Sequence, residues 1–194
     1  MFKLTNQNHE TFGKTKWGEG ITHTASGIGD LCTNGWIHFY KNPKLAVFFN
    51  PIHANFIDPV LWECSVDGII KSDGTKYGCT KLTTIKIIEI PVLTTEQRIK
   101  FAILCAKEVY KEKGWNEWAD KWLNGSDRTA DSAKITADFA YAAYAANTTN
   151  SAYAAYATAY VAYADVNSYT VDAAAHAVVA ANCLDLESLI ERIP

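Results

Sequence analysis

Hydrophobic and polar positions change their period along the chain near residue 92. Before that point, short aromatic and β-branched runs predict strands over residues 35–40 ("GWIHFY"), 61–66 ("LWECSV") and 82–91 ("LTTIKIIEIP"). Asn42 followed by Pro43 is a helix-start signal, so "NPKLAVFFNP" predicts one short helix between the first two strands. We therefore expect a mixed strand and turn domain over residues 1–92.

Beyond residue 92 the apolar positions follow a helical period. Thr94 and Gln97 form a capping-box pattern at the start of "LTTEQRIKFAILCAKEVYKEKG", and Gly114 predicts the end of this helix. In "WNEWADKWLNG" three tryptophans fall on one face of a short helix that ends at Gly125, which indicates a packing spine. These two helices define a predicted bridging section over residues 93–126.

The stretch "DFAYAAYAANTTNSAYAAYATAYVAYAD", residues 138–165, carries no charge between its two ends. A membrane span is disfavoured because Asn, Thr and Ser occupy its middle, where burial in lipid is expensive. Alanine is the best helix former, and the polar residues favour a break, so we expect two helices separated at "NTTNS". The spacing of four tyrosines places them on one face of the second helix: Tyr153, Tyr156, Tyr160 and Tyr163.

Further helical signals complete the chain. A third Ala-rich helix is expected from Ser168 or Thr170, and a short last one is capped by Asp185. The fold class is therefore α+β, with an Ala/Tyr-rich helical bundle over residues 127–194. Alanine faces permit close approach and tyrosines suit interfaces, so we expect homo-oligomer assembly through these helices, with Ala155 and Ala159 against a neighbouring chain.

Composition narrows the possible partners. The 194 residues carry a formal net charge of -3 and a pI of about 5.9, which gives no electrostatic reason to bind nucleic acid. Five cysteines without a C-x-x-C pair, and histidines without an i, i+4 pair, predict no metal site. We interpret the cysteines as buried thiols of a reducing cytoplasm, His53 as a turn residue and His176 as a helix-packing residue. The first residues lack the apolar segment of a signal peptide, so a cytoplasmic location in a bacterial host is expected.

The order of the motifs carries a resemblance. The segments "THTASGIGDLCTNGWIHFYKNPKLAVFFNPIH", "LWECSVDG", "KYGCTKL" and "LTTEQRIKFAILCAKEV" together resemble an uncharacterised family of bacteriophage and bacterial proteins with a mixed N-terminal domain and an Ala-rich helical tail. The resemblance spans nearly the whole chain. It implies a role in phage–host interaction, without an assigned activity.

The first part of the chain also distantly resembles ADP-ribosyltransferase-like folds. That resemblance implies a strand carrying His23 with Thr24, an aromatic at Tyr40 before a short helix, and a later glutamate, for which Glu63 and Glu89 are both candidates. In such enzymes the histidine and the aromatic hold the nicotinamide end of NAD. The glutamate hydrogen-bonds a ribose hydroxyl as positive charge develops on the sugar.

Three functional hypotheses follow. The first is a non-catalytic module without a cofactor that binds a nucleotide-like host defence signal through His23, Thr24, His38 and Tyr40, beside a glycine-rich segment with Gly27 and Gly29. The second is an NAD-using ADP-ribosyltransferase-like enzyme. The third is an inhibitor that binds a host protein through surface aromatics such as Trp17, Trp36, Trp62 and the Trp115 helix.

Overall fold

A computed structural model describes residues 1–147, 149–164 and 184–194 and confirms the α+β class. The chain divides into two compact units, Met1–Leu93 and Thr94–Pro194. Among the described residues, every strand lies in the first unit, and the second unit is helical. The predicted third Ala-rich helix, together with His176 and Cys183, lies outside the described residues.

The first unit contains seven strands and one α-helix. Its elements are β1 Phe2–Thr5, β2 Glu10–Thr11, β3 Thr15–Lys16, β4 Thr22–Thr24, β5 Ile37–Phe39, α1 Pro43–His53, β6 Val60–Ser72 and β7 Tyr77–Ile88. A single-turn 3₁₀ segment, Phe12–Lys14, connects β2 to β3. The Asn42 side chain accepts a hydrogen bond from the Lys44 N–H at 2.8 Å, which confirms the predicted start of α1.

A long antiparallel β6–β7 hairpin is the centre of the main sheet. Strand β1 pairs with β6, whereas β4 and β5 both pair with β7. Two backbone hydrogen bonds of 2.8 Å between Phe2 and Tyr40 connect β1 to the end of β5, which closes the strands into a ring. The core that this ring encloses is mostly aromatic and sulfur-containing: Trp17, Phe39, Trp62, Cys64, Cys79 and Leu82.

The two central strands extend beyond their predicted bounds. Strand β6 continues to Ser72, past a register shift between Asp67 and Ile70 that interrupts the hydrophobic alternation. Strand β7 begins at Tyr77, five residues before its predicted start at Leu82. It contains Gly78, although glycine in a sequence usually indicates a turn. A Cβ at Gly78 would come within 2.4 Å of the Leu31 side chain, so the glycine permits the segment between β4 and β5 to pack closely on the strand.

The second unit contains five described helices: α2 Thr95–Val109, α3 Lys113–Asn124, α4 Ala130–Asn147, α5 Asn150–Tyr163 and α6 Leu186–Glu191. The Thr94–Gln97 capping box and the Asp185 cap are confirmed. The prediction that Gly114 ends the first of these helices is wrong. Helix α2 ends at Val109, and Gly114 lies in the first turn of α3, whose N-cap is Glu112.

Alanine and tyrosine have separate roles in α4 and α5. The four tyrosines of α5 stack along one face with ring centroids 5.1–6.2 Å apart, as their spacing predicts. Tyr141 and Tyr144 of α4 join this row through Tyr156 and Tyr153, at 5.2 and 5.3 Å. The rings therefore meet rings of the same chain.

The prediction that Ala155 and Ala159 face a neighbouring chain is wrong. Both are fully buried within the second unit. The indole Nε1 of Trp115 in α3 donates a hydrogen bond of 3.1 Å to the Ala155 carbonyl, an approach that only a small residue on α5 permits. Trp115, Trp118 and Trp122 are all buried, so the tryptophan face of α3 is core.

No helix in the described part of the chain is long and apolar enough to cross a membrane.

We expect Ala155→Glu to unfold the second unit by placing a carboxylate in a packed apolar site. Its free energy of unfolding should fall by more than about 3 kcal/mol. Ala142→Glu on the exposed face of α4 is the matched control and should change it by less than about 0.5 kcal/mol. Urea unfolding followed by far-UV circular dichroism measures both, and equal stability of the two variants would contradict the packing described.

Candidate functional site

A cleft of about 590 Å³ lies in the first unit. Its walls come from β1, the β2–β3 hairpin, β4, β5 with the segment before it, the end of α1 and the turn between β6 and β7. Two lysines, three histidines and several aromatic side chains line it. Of the described residues that line the cleft, none is an aspartate or a glutamate. An acid-free cleft with buried cations favours an anionic ligand.

The four residues predicted to bind a ligand all line this cleft: His23, Thr24, His38 and Tyr40. His23 and Thr24 lie on β4, His38 lies on β5, and Tyr40 follows β5 directly. Their joint position results from the pairing of β4 and β5 with the same edge of β7. Whether these residues bind a ligand stays a prediction.

His23 and His38 are each held by a backbone carbonyl. His23 Nε2 is 2.8 Å from the Lys16 carbonyl oxygen, and its ring meets the Trp17 ring edge-on at 4.5 Å. His38 Nε2 contacts the Leu31 carbonyl oxygen. Burial lowers the pKa of His38, and the positive charges of Lys76 and Lys3 lower it further. His38 therefore favours its neutral form between two cations.

Tyr40 and His53 form a hydrogen-bonded pair at the end of α1. The Tyr40 hydroxyl lies 2.6 Å from His53 Nδ1, and burial raises the pKa of Tyr40. His53 is the last residue of α1 and lines the cleft, so its interpretation as a turn residue is wrong. The sequence carries no local signal for this role, because its second contact, Thr75, lies 22 residues further along the chain.

Lys3 is a buried cation that sequence reasoning missed. Its side chain is 5% exposed, and its ammonium donates to the His38 carbonyl at 2.9 Å and lies 4.6 Å from the centre of the Trp17 ring. No carboxylate pairs with it among the described residues. Burial lowers the pKa of Lys3 to about 8, although the nearby Cys64 and Cys79 thiols oppose that shift.

Lys76 is the second buried cation of the cleft, and it does have a countercharge. Its Nζ lies 3.5 Å from Asp73 Oδ2 and 3.3 Å from Cys32 Sγ. Burial alone would raise the pKa of Asp73, but hydrogen bonds from the Thr75 hydroxyl and the Thr75 and Lys76 N–H groups outweigh it and lower the pKa to about 2. Asp73 is therefore ionised and supplies a negative charge beside the Lys76 ammonium.

The cysteines only partly match their prediction. Cys64, Cys79 and Cys105 are buried thiols, and burial raises the pKa of each. Cys32 is exposed and lines the cleft, so its interpretation as a buried thiol is wrong. Among the described residues, no group of three His, Cys, Asp or Glu side chains could hold a metal ion.

Neither candidate glutamate of the ADP-ribosyltransferase resemblance lies in the cleft. Glu63 is on β6, where its carboxylate pairs with Lys86 at 3.3 Å. Glu89 is exposed beyond the end of β7. Among the described residues, the cleft therefore lacks the carboxylate that this chemistry needs beside the ribose.

The glycine-rich segment uses its backbone to stabilise its own loop. Gly27 donates to the Gly35 carbonyl at 2.8 Å, and Trp36 Nε1 donates to the Gly29 carbonyl at 3.1 Å. Gly27 and Gly29 adopt positive φ angles of 73° and 88°, which glycine tolerates. Neither lines the cleft, so the segment shapes the wall and offers no phosphate cradle there.

All six tryptophans of the chain are buried: Trp17, Trp36, Trp62, Trp115, Trp118 and Trp122. The inhibitor hypothesis relied on several of them as a surface for a host protein. They form no exposed surface patch, although Trp17 and Trp36 line the cleft, and binding of a host protein stays a prediction.

Comparison with known proteins gave no family model, no curated protein and no solved structure that matches this chain.

The burial of Lys3 predicts a specific dependence of stability on pH. The folded state releases the Lys3 proton near pH 8, whereas an unfolded lysine holds it to about 10.5. Between these values the unfolded state binds more protons, so stability rises with pH. The free energy of unfolding of the wild type, relative to Lys3→Met, should rise by on the order of 3 kcal/mol over that range.

Urea unfolding of both proteins at several pH values measures this difference, and the other titrating groups cancel in the comparison. A constant difference from pH 7.5 to 10.5 would contradict the burial of a charged Lys3.

Proposed function

We propose that the first unit is a non-catalytic binding module for a nucleotide-like small molecule, with an anionic group and an aromatic ring. The observation that carries this proposal is Lys3, a buried cation without a carboxylate partner in the described chain, at the wall of an acid-free and aromatic cleft.

The anionic group of the ligand is proposed to lie near Lys3 and Lys76. A buried ammonium that lacks a countercharge is unfavourable, and a bound phosphate or carboxylate would supply that charge. His38 also lines the cleft. The Lys3 ammonium donates to its backbone carbonyl, and the charges of both lysines lower the pKa of its imidazole. Charge-assisted hydrogen bonds in such a site are about twice as strong as neutral ones.

The ring of the ligand is proposed to lie on the aromatic wall. Trp17, Trp36 and Phe12 line the cleft, and Phe12 is 92% exposed at its rim, where its ring has no packing role in the described fold. Aromatic side chains can stack on any nucleobase, because every base has a flat π-face. The volume of about 590 Å³ is within the ordinary range for small-molecule sites.

The resemblance to phage proteins suggests a biological use for such a module. A protein that binds a nucleotide-type host defence signal without consuming it would lower the free concentration of that signal. The proposal favours binding over turnover because none of the described residues that line the cleft carries a carboxylate.

The direct test is mass spectrometry of small molecules released by heating protein purified from a nucleotide-rich lysate. A bound anionic nucleotide, linear or cyclic, is the expected result. Isothermal titration with inorganic phosphate and with adenosine 5′-monophosphate then measures affinity on the ligand-free protein.

We expect Lys3→Met to weaken adenosine 5′-monophosphate binding at pH 7 by about tenfold or more, because it removes the cation beside the anionic group. The protein should not lose stability, since the substitution replaces a buried charge by an apolar chain of similar length. Lys86→Met, on the same sheet but outside the cleft, is the matched control and should bind like the wild type.

The wild-type affinity should also fall as pH rises through about 8, where Lys3 loses its proton, and this dependence should be absent in Lys3→Met. Equal affinity of the Lys3 and Lys86 variants would refute the anion site.

Incubation with NAD separates binding from ADP-ribosyl transfer. We expect no nicotinamide release and no label transfer from labelled NAD, since Glu63 and Glu89 lie outside the cleft. Nicotinamide release that is lost in Glu63→Gln or Glu89→Gln would favour the enzyme instead.

A further inference from the structure

Four side chains of the first unit form a continuous hydrogen-bonded row that ends at the cleft. Tyr40 Oη is 2.6 Å from His53 Nδ1, His53 Nε2 is 3.4 Å from Thr75 Oγ1, and Thr75 Oγ1 is 2.7 Å from Asp73 Oδ1. The row connects the end of β5, the end of α1 and the turn between β6 and β7. Tyr40 and His53 both line the cleft, whereas Thr75 and Asp73 do not.

The ionised carboxylate of Asp73 determines which group donates and which accepts in each hydrogen bond of the row. Asp73 can only accept, so the Thr75 hydroxyl donates its single proton to it. The Thr75 oxygen can then only accept from His53, which places the imidazole proton on Nε2. A neutral imidazole carries one ring proton, so Nδ1 is an acceptor and the Tyr40 hydroxyl must donate to it.

Packing holds the imidazole in this orientation. The His53 ring stacks on Phe49 with centroids 5.2 Å apart and planes at 22°, and it lies nearly parallel to the Tyr40 ring at 17°. The backbone N–H and C=O of Tyr40 are both bonded to Phe2. With its only hydroxyl proton directed at His53, Tyr40 keeps free lone pairs and no free donor.

We infer that Tyr40 presents only a hydrogen-bond acceptor to the cleft, and that the ligand bound there carries an N–H or O–H donor opposite it. This inference rests on the proposed function, in which a nucleotide-like molecule occupies the cleft. Within that class it selects ligands with an exocyclic amine or a sugar hydroxyl at this position. Asp73, Thr75 and His53 are positioning residues that act through Tyr40.

The first test needs no ligand. Nitrogen-15 NMR of the imidazoles at pH 7.5 should show the Nε2–H tautomer for His53. Thr75→Val removes the acceptor of that proton, so it should convert His53 to the Nδ1–H tautomer, which donates to Tyr40. Thr83→Val, a change of the same type on β7 outside the cleft, should leave the tautomer unchanged. An Nδ1–H tautomer in the wild type would overturn the inference.

The second test compares adenosine 5′-monophosphate with three analogues that each lack one donor: purine riboside 5′-monophosphate, and the 2′-deoxy and 3′-deoxy nucleotides. One analogue should bind the wild type about tenfold more weakly than the parent, because it leaves the Tyr40 acceptor unpaired. That loss should disappear in Tyr40→Phe and shrink in Thr75→Val, where Tyr40 regains a free proton, but persist in Thr83→Val.

Parent-to-analogue affinity ratios that are the same in the wild type and in Tyr40→Phe for all three analogues would overturn the inference. If the wild type binds neither inorganic phosphate nor any of these nucleotides, the proposed function fails. The Nε2–H tautomer, and its conversion in Thr75→Val, would still support the acceptor role of Tyr40.

Discussion

The cleft of the first unit depends on two backbone hydrogen bonds between Phe2 and Tyr40. They place β1 beside the end of β5, although 38 positions of sequence separate their partners. Lys3 follows Phe2, and its ammonium reaches the carbonyl of His38, two residues before Tyr40. The pair of hydrogen bonds between Phe2 and Tyr40 therefore positions the Lys3 cation, the His38 imidazole and the Tyr40 phenol of the cleft together. Without the closed ring, Lys3 would be free to remain in water, and the cleft would lose the cation that pairs with no carboxylate of the described chain.

The two lysines of the cleft differ in how their charge is compensated. Asp73 supplies a fixed countercharge to Lys76, whereas Lys3 has only a carbonyl oxygen and an aromatic ring beside it. A ligand anion would therefore be stabilised more by Lys3 than by Lys76, because Asp73 already compensates part of the Lys76 charge. It would also relieve the unfavourable burial of Lys3. Under the proposed function, ligand binding and fold stability would be coupled through one ammonium group, most strongly below the pH at which that group loses its proton.

Local signals in the sequence predicted much of the fold. The caps at Asn42 and Thr94, and the spacing of the tyrosines of α5, each depend on residues a few positions apart, so their outcome follows from the sequence. Lys3, His53 and Lys76 could not be assigned in the same way, since each makes a contact with a distant residue, 35, 22 and 44 positions away. The cleft was predicted through residues on strands that share an edge of β7. Its charge depends on pairings that no local pattern records.

The alanines of the helical unit follow from its internal packing. An indole N–H can reach the carbonyl of Ala155 only if no larger side chain covers the backbone of α5, and the buried faces of α4 and α5 consist mainly of alanine. Bulky tryptophans on α3 fill the space that small residues leave, which is ordinary complementarity within one core. The same composition suggested an interface between chains when only the sequence was considered. Small residues show that something packs closely against a helix, and here that partner is another helix of the same chain.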